Sequence, residues 1–261
     1  MSRLPNENRR PIADRGGRLK LIVAYDGAGF SGWQSQARGN TIQDQIEAAF
    51  LQVIGRKIRV HGAGRTDAGV HALGQCAHVD LPPTRLTSAV LVSALNASLP
   101  AQIRIIRCAF VAPTFHARFL ARAKVYSYRL ATTTVLSPFE LGRAWHVPGS
   151  LNDKSLHACA NKFAGTHNFA GFAANRGHSV KSTIRTIRRV RVRRTASSTT
   201  IEFEGDGFLY KMVRMMVGAI VRCALGKISV AEIGVQLLEA APAEPRLVAP
   251  AAGLTLIRVR Y

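Results

Sequence analysis

Apolar and polar residues alternate from Leu19 to Tyr25, which is the pattern of a half-buried β-strand. A helical pattern follows between the capping residue Thr41 and Gly55, with one apolar face made of Ile42, Ile46, Phe50 and Val53. Further strands are predicted at residues 57–61, 73–80 and 102–110, with a helix at 84–94. The first half therefore has the predicted order β-α-β-β-α-β.

The second half repeats this order at similar spacing. Its predicted strands cover residues 124–131, 183–194, 199–204 and 254–260, and its helices cover 151–163, 209–225 and 231–238. Two split β-α-β units in tandem are the simplest arrangement with this order. We therefore predict an α+β fold of two ferredoxin-like units, whose antiparallel sheets flank a central basic cleft. The expected organisation is a disordered basic arm (1–18), an N-terminal α+β domain (19–112) and a C-terminal α+β domain (113–261).

The composition is strongly basic. The chain carries 36 lysines and arginines against 15 aspartates and glutamates, a formal charge of +21, so nucleic acid is the first candidate partner. There is no run of about 18 apolar residues and no apolar stretch near the start that is typical of a signal peptide. We expect a cytoplasmic protein that binds no membrane. The four cysteines lie far apart without a Cys-x-x-Cys pair, which indicates neither a zinc site nor disulfides.

Cations concentrate on the strand predicted at 183–194, where Arg189, Arg191 and Arg193 share one face and the intervening valines face the core. Other cations extend this stretch or form a second one in the first half: Arg176, Lys181, Arg185, Arg188, Lys20, Arg38, Arg56, Lys57 and Arg59. Because few acids are close in sequence, we expect these arginines to repel one another until phosphates bind.

Aromatic residues add candidate base contacts. Tyr126 and Tyr128 are two residues apart on a predicted strand and point the same way, so either is placed to stack on an exposed base. Core packing with a wet hydroxyl is the alternative for at least one of them. The glycine-punctuated stretch from Tyr25 to Gln36, which contains Trp33, is predicted to be a loop that presents polar side chains to a ligand.

Asp67 lies within a glycine-rich stretch from Gly62 to Gly74 that also holds Arg65 and His71. Glycines adopt backbone angles closed to other residues and let a substrate approach the main chain, which suits an active-site turn. A carboxylate among so many cations would weaken simple phosphate binding. We therefore interpret Asp67 as the candidate catalytic residue, with an ordinary turn between two strands as the alternative.

Other chemical interpretations of this stretch are weaker. It begins like a dinucleotide-binding fingerprint, but Asp67 stands where the last glycine is needed. Asp67 and His71 are four residues apart and would share a metal on a helix, with His61 or His78 as a third ligand, but the glycines disfavour a helix. A metal-dependent nuclease that uses His61, Asp67 and His71 stays an alternative that a chelator would test. Our prediction is that the protein uses no metal.

Several segments carry a resemblance to a known family. They are Gly64-Arg-Thr-Asp-Ala-Gly-Val-His-Ala72, Tyr25-Asp-Gly27 with Gly32-Trp-Gln34, Phe115-His-Ala-Arg-Phe119 and Met212-Val-Arg214. Together they resemble the tRNA pseudouridine synthase A (TruA) family over about residues 19–261. The resemblance implies a homodimeric isomerase without cofactor, which converts uridine to pseudouridine at positions 38, 39 and 40 of the tRNA anticodon arm. It also implies the two-sheet architecture.

The resemblance assigns roles to individual residues. The family's catalytic aspartate corresponds to Asp67, and the tyrosine that packs on the target uracil corresponds to Tyr126. Arg65 and Arg214 correspond to basic residues near the aspartate, where they would keep the carboxylate ionised.

The chain departs from the family pattern in two places. Lys124-Val125 precedes Tyr126 where two arginines are frequent, and Gly253-Leu254-Thr255 stands where Gly-Leu-Tyr is common. These differences affect the expected phosphate contacts and the apolar wall that Leu254 or Leu256 would form, but not the catalytic aspartate.

The implied chemistry needs one carboxylate. Asp67 would attack C1′ or uracil C6, or remove the C2′ proton to give a glycal, and the sequence leaves these routes open. Extruding the base costs a few kcal/mol, which stacking and phosphate contacts would offset. A catalytically silent RNA-binding protein is the alternative from another class. It accounts for the charge and the fold, but not for an aspartate in this turn.

Overall fold

The computed structural model describes residues 16–37, 39–174, 181–240 and 248–261. The strands within these ranges are β1 (Gly17–Tyr25), β2 (His61–Gly62), β3 (His71–Leu81), β4 (Ile103–Phe110), β5 (Ala123–Ala131), β6 (Trp145–His146), β7 (Gly165–Asn168), β8 (Ile184–Arg194), β9 (Ser198–Gly205) and β10 (Leu254–Arg260). The α-helices are α1 (Ile42–Ile54), α2 (Ser88–Ser98), α3 (Asp153–Lys162), α4 (Met212–Ala224) and α5 (Val230–Glu239). Short 3-10 helices cover Pro138–Glu140, Phe169–Phe172 and Ala251–Gly253.

The strands form one mixed sheet in the order β4-β1-β3-β10-β5-β9-β8-β7, with β2 paired to β3 and β6 paired to β5. The α+β class is thus as predicted. The expectation of separate antiparallel sheets flanking a cleft is wrong, because β10 runs parallel to β3 on one side and antiparallel to β5 on the other. Each half would otherwise leave a strand edge with unpaired backbone groups, and β10 covers both edges.

Helix α1 matches its sequence signals. Thr41 caps the N-terminus, since its hydroxyl accepts from the Asp44 amide while the Asp44 carboxylate accepts from the Thr41 amide, a reciprocal capping box. Gly55 ends the helix in the left-handed conformation, at φ 74°, and its amide donates to the Leu51 carbonyl. The apolar face is buried at Ile42, Ile46 and Phe50, as expected.

Two elements differ from their predicted positions. Helix α2 begins four residues later than expected because Thr87 is the cap: its hydroxyl accepts from the Val90 amide, whereas the Thr84 hydroxyl only forms a local turn. The strand predicted at 57–61 is reduced to β2. The Val60 amide donates to the Glu47 carboxylate at 2.9 Å instead of to a neighbouring strand.

The sequence missed β6 and β7, which are too short for a periodic pattern. The predicted basic arm also ends earlier than expected. β1 begins at Gly17, and Arg18 forms a bidentate ion pair with Asp80 on β3. The rest of the arm, residues 1–15, lies outside the described residues, as do Arg38 and Arg176.

The main core covers one face of the sheet. On β1 it takes Leu19, Leu21 and Val23, all fully buried, together with the apolar faces of the helices. Ile22 points the opposite way, because side chains alternate along a strand, and packs with a small cluster that contains Ala63, Cys76, Ala117 and Tyr261. This second cluster lies at the base of the loop that carries Asp67.

Candidate functional site

A cavity of about 770 Å³ brings together residues that are far apart in sequence. Four of the five predicted site residues line it: Arg65, Asp67, Tyr126 and Leu254. The fifth, Arg214, contacts Asp67 directly. The rest of the lining includes Trp33, Gln34, Arg118, Lys124, Thr183, Arg185, Phe208, Tyr210, Lys211 and Val213. The volume is in the range of small-molecule and nucleotide sites.

The Asp67 loop, residues 63–70, connects β2 to β3 and is fixed at its N-terminal end. The Ala63 amide donates to the Cys76 carbonyl at 2.7 Å, and the Gln75 side-chain amide donates to the Gly64 carbonyl at 3.0 Å. In the middle, the Thr66 hydroxyl and the Tyr25 hydroxyl form a buried hydrogen bond of 2.8 Å. Asp67 therefore projects from a preorganised turn.

The predicted ligand loop at residues 25–36 acts in part as a brace for this turn. Trp33 is buried, and its amide donates to the Thr66 carbonyl at 3.1 Å. Gly32 adopts φ 87°, and a Cβ there would lie 2.7 Å from the Thr66 carbonyl oxygen. Gly69 closes the turn at φ 77°. Glycine is required at both positions, the first for close approach and both for backbone conformation.

Asp67 and Arg214 form an ion pair with 3.3 Å between Oδ2 and Nη1. Both side chains are mostly buried, with 16% and 14% exposed. Arg214 lies in the first turn of α4, and its Nε donates to the Ala249 carbonyl at 2.7 Å, which fixes the guanidinium. A guanidinium held in this way pairs with the carboxylate and limits its orientation.

Arg65 differs from Arg214. Its side chain is exposed at the cavity mouth, and its Nε donates to the Gln34 side-chain oxygen at 3.2 Å. The structure therefore places Arg65 and Arg214 in different environments, although the sequence treats them alike.

Tyr126 forms one wall of the cavity. It is 7% exposed and packs edge-on against Phe208, with ring centroids 5.0 Å apart. Burial raises the pKa of its hydroxyl, and the nearby charge of Asp67 adds to the increase, so the phenol stays protonated at neutral pH. Tyr128 is instead fully buried, and its hydroxyl donates to the Pro250 carbonyl at 2.7 Å. Of the two tyrosines, Tyr128 is the core residue.

Leu254 and Leu256 also differ in their position relative to the cavity. Both are buried on β10, but only Leu254 contributes to the lining of the cavity. Leu254 pairs with Tyr128 and Leu256 pairs with Tyr126 across β5 and β10.

His71 is a structural connector at the start of β3. Its Nδ1 accepts from the Gly27 amide at 3.1 Å, and its Nε2 lies 2.9 Å from the Gly142 carbonyl and 3.1 Å from the Ala252 carbonyl. These contacts contradict the alternative in which His71 shares a metal with Asp67 and His61. In the described ranges, no group of three histidine, cysteine, aspartate or glutamate side chains is arranged to hold a metal ion.

The basic charge on β8 is partly neutralised, in contrast to the expectation. Arg189 pairs with Glu204 at 2.8 Å, and Arg194 pairs with Asp153 at 3.0 Å. The sequence missed these acids because Glu204 reaches Arg189 from the adjacent strand β9. Val190 and Val192 pack against the core, as predicted.

Sequence reasoning missed several lining residues. Phe208 follows β9 in a glycine-punctuated segment and carries no motif of its own, whereas Gln34 belongs to the Gly32-Trp-Gln34 segment but had no role assigned to it. In the sequence, Lys124 stands out only because it departs from the family pattern. Burial, followed by repulsion from Arg118 and Arg185, lowers the pKa of Lys124 to about 8.

None of the helices within the described part of the chain has the length and apolar character needed to span a bilayer.

Comparisons with known proteins find similar sequences over most of the chain. The sequence profile of the tRNA pseudouridine synthase family matches residues 21–119 and 159–261. The tRNA pseudouridine synthase A of Akkermansia muciniphila is 44% identical over 252 residues, which cover 94% of this chain and 95% of that protein. Its counterpart in Methylacidiphilum infernorum is 41% identical over 242 residues, covering 93% and 94%. A solved structure of an H/ACA RNP bound to a substrate RNA containing 2′-deoxyuridine is also similar, and the alignment covers 92% of this chain and 46% of the solved chain. The sequence identity is 11% and the TM-score is 0.34, which is too low to add to the sequence match.

Proposed function

The chain belongs to the tRNA pseudouridine synthase family, and from this premise we propose that it isomerises uridine to pseudouridine at positions 38, 39 and 40 of the tRNA anticodon stem and loop, with Asp67 as the nucleophile. The family assignment itself makes the protein an isomerase that acts on tRNA. The three positions come from the family resemblance, and the role of Asp67 comes from the resemblance together with the site geometry.

One observation carries the role of Asp67. Its carboxylate, held by Arg214 at 3.3 Å, shares a single cavity with the ring of Tyr126. The two groups are close enough for the charge of Asp67 to raise the pKa of the Tyr126 hydroxyl. A nucleophile next to an aromatic wall is the arrangement that a flipped pyrimidine requires.

The reaction balances within the substrate. The bond from C1′ to N1 of uracil breaks, a bond from C1′ to C5 forms, the C5 proton leaves and N1 gains a proton. No electrons are gained or lost. The protein therefore has to supply a nucleophile, a charge partner for it and a surface that retains the detached base. We assign these roles to Asp67, Arg214 and Tyr126, with Leu254 as a further apolar contact to the base.

The basic charge of the chain supports the same proposal. Extruding a stacked base costs a few kcal/mol, which contacts to the RNA backbone must offset. With a formal charge of +21, the surface provides these contacts, and RNA binding should weaken steeply as salt rises.

The test is tritium release from tRNA labelled at C5 of uridine, because formation of pseudouridine expels that atom whereas binding or strand cleavage does not. Three tRNA transcripts, each with a single uridine at position 38, 39 or 40 and cytidine at the other two, separate the positions. Release from all three is expected. RNA binding without release from any transcript would favour the silent RNA-binding alternative, and activity lost with a chelator would favour metal chemistry.

We also propose that two copies of the chain associate in the cytoplasm, as the family resemblance implies. Large apolar side chains exposed near the Pro138–Glu140 helix support this, namely Val135, Phe139 and Leu141, which are 80%, 88% and 72% exposed. Contiguous exposed apolar patches are typical of interaction surfaces. Sedimentation equilibrium that returned only the monomer mass would remove this proposal.

A further inference from the structure

Three of the five described cations that line the cavity with Asp67 and Tyr126 interact with one another. They are Arg118, from the connection between β4 and β5, Lys124, on β5, and Arg185, on β8, and we call them the cationic wall. They lie close enough that both guanidiniums act on Lys124 and help burial to lower its pKa. Three separate segments of the chain therefore bring like charges together at one place, against their mutual repulsion.

Lys124 lies against the main chain of the Asp67 loop. A Cβ built on Gly64 would be 2.6 Å from the Lys124 Nζ, so the ammonium occupies the space that a side chain at Gly64 would fill. Gly64 is three residues before Asp67. The absence of a side chain there allows a cation to approach the loop, which gives this glycine a role in the site itself.

Within the part of the chain that the structure describes, no carboxylate neutralises the cationic wall. Among the residues described, none of its three members forms an ion pair with a carboxylate, whereas Arg189 and Arg194 on the same sheet do. Arg185 is oriented by the Ser182 and Ile184 carbonyls, both of which accept from its Nη1, and its other nitrogens have no described partner. Lys124 and Arg185 are partly buried whereas Arg118 is exposed, and partly buried like charges destabilise a fold unless an anion binds between them.

We propose that the cationic wall binds the phosphodiester next to the target uridine, an inference that rests on the proposed function. The planar guanidinium forks of Arg118 and Arg185 suit two phosphate oxygens, and Lys124 supplies a compact charge with free donors. Because the wall shares the cavity with Asp67, the bound phosphate belongs to the extruded nucleotide or its immediate neighbour. The RNA backbone is then held while the detached uracil turns between Asp67 and Tyr126.

A cycle of matched changes in protein and RNA tests this. The RNA is a synthetic anticodon arm in which the linkage on the 5′ or the 3′ side of the target uridine is replaced, one at a time, by a neutral methylphosphonate. The protein variants are Lys124→Gln and Lys124→Arg, with Lys162→Gln on the exposed end of α3 as the matched loss of charge elsewhere. Both kcat/KM for pseudouridine formation and equilibrium RNA affinity are measured for every pair.

For one of the two linkages we expect the methylphosphonate to lower wild-type kcat/KM about 10- to 100-fold, the usual effect of losing a charge-assisted hydrogen bond. Lys124→Gln should show a similar loss with unmodified RNA and little further loss with that methylphosphonate. Lys124→Arg should recover most of the activity, and Lys162→Gln should behave as wild type. If the loss from Lys124→Gln and the loss from the methylphosphonate multiplied at both linkages, the cationic wall would not be the phosphate site.

The same measurements distinguish failure of the phosphate-site proposal from failure of the proposed function. If wild-type protein made no pseudouridine from unmodified RNA, the proposed function would fail. The affinity measurements would then still decide whether Lys124 and the flanking phosphate act on each other.

Discussion

Arg214 Nη1 lies 3.3 Å from Asp67 Oδ2, although 147 residues separate them along the chain. The aspartate comes from a loop between two strands, and the arginine comes from the first turn of α4. The ion pair therefore depends on the tertiary contacts that bring these two segments together. The carboxylate and its charge partner are products of the complete fold.

Replacing Asp67 by Asn should abolish pseudouridine formation, because the amide keeps the shape of the carboxylate and loses its nucleophilic charge. Affinity for tRNA should stay within a few-fold of wild type or improve slightly, since a negative charge is removed from an RNA site. Tritium release and a binding titration measure the two effects. Asp153→Asn, on the surface at the start of α3, is the matched control and should remain active. Wild-type turnover in Asp67→Asn would remove the assignment.

Arg214→Gln should lower kcat about 10- to 100-fold, because it removes a charge-assisted hydrogen bond from the reacting carboxylate. Arg214→Lys should retain part of the rate. Arg65→Gln should mainly weaken tRNA affinity, since Arg65 is exposed and bonded to Gln34. Separate kcat and KM values distinguish the two arginines. Equal effects on kcat from Arg65→Gln and Arg214→Gln would contradict this division.

Replacing Tyr126 by Phe keeps the aromatic wall and its contact with Phe208, and removes only the hydroxyl. If stacking is the role of Tyr126, single-turnover rates should stay near wild type in Tyr126→Phe. Tyr126→Leu should lose roughly 1–3 kcal/mol of base stacking. A stalled reaction in Tyr126→Phe with normal binding would instead assign proton handling to the hydroxyl. Normal rates in both variants would show that Tyr126 only fills the core.

RNA binding should depend on pH through Lys124. Burial and the charges of Arg118 and Arg185 lower its pKa from 10.5 to about 8, so the ammonium is present below pH 8 and is lost as pH rises through that value. The kcat/KM of wild type should therefore fall between pH 7.5 and 9.5. A guanidinium keeps its charge in this range, so Lys124→Arg should give a flatter profile. Identical profiles for the two proteins would contradict the assignment.

Acid stability should depend on His78, a buried histidine on β3 that is stacked with His61. Burial and the charges of His116 and Arg18 lower its pKa from 6.5 to about 4. The unfolded chain then binds a proton between pH 6.5 and 4 that the folded protein does not, so stability is lost as pH falls through this window, by at most about 1.4 kcal/mol per pH unit.

His78→Asn tests this contribution, because the asparagine oxygen can replace Nδ1 as the acceptor for the Ala117 amide. Thermal unfolding at pH 7.5 and pH 5 should show a smaller drop in Tm for the variant than for wild type. An equal drop in both proteins would assign the acid sensitivity to other groups.

Local features of the fold could be predicted because they are encoded within a few residues. The capping box at Thr41, the left-handed Gly55 and the alternation along β1 depend on neighbouring side chains and on helix or strand periodicity. The candidate nucleophile could also be identified from local sequence, because Asp67 is the one carboxylate in a stretch of glycines and cations. Where two local signals compete, as Thr84 and Thr87 do for the start of α2, tertiary packing of Leu91 and Leu95 selects one.

The sequence by itself determined the α+β class, most element positions, the basic charge and five of the residues that meet at the candidate site. The tertiary structure decided that there is one sheet, that Arg214 and not Arg65 forms the ion pair with Asp67 described here, and that Tyr128 belongs to the core. It also placed Lys124 against Gly64, at the centre of a wall of cations. These features arise from contacts between segments that are tens to hundreds of residues apart. Local periodicity contains no information on such pairings, because strand partners and docking angles are set by the packing of the whole core.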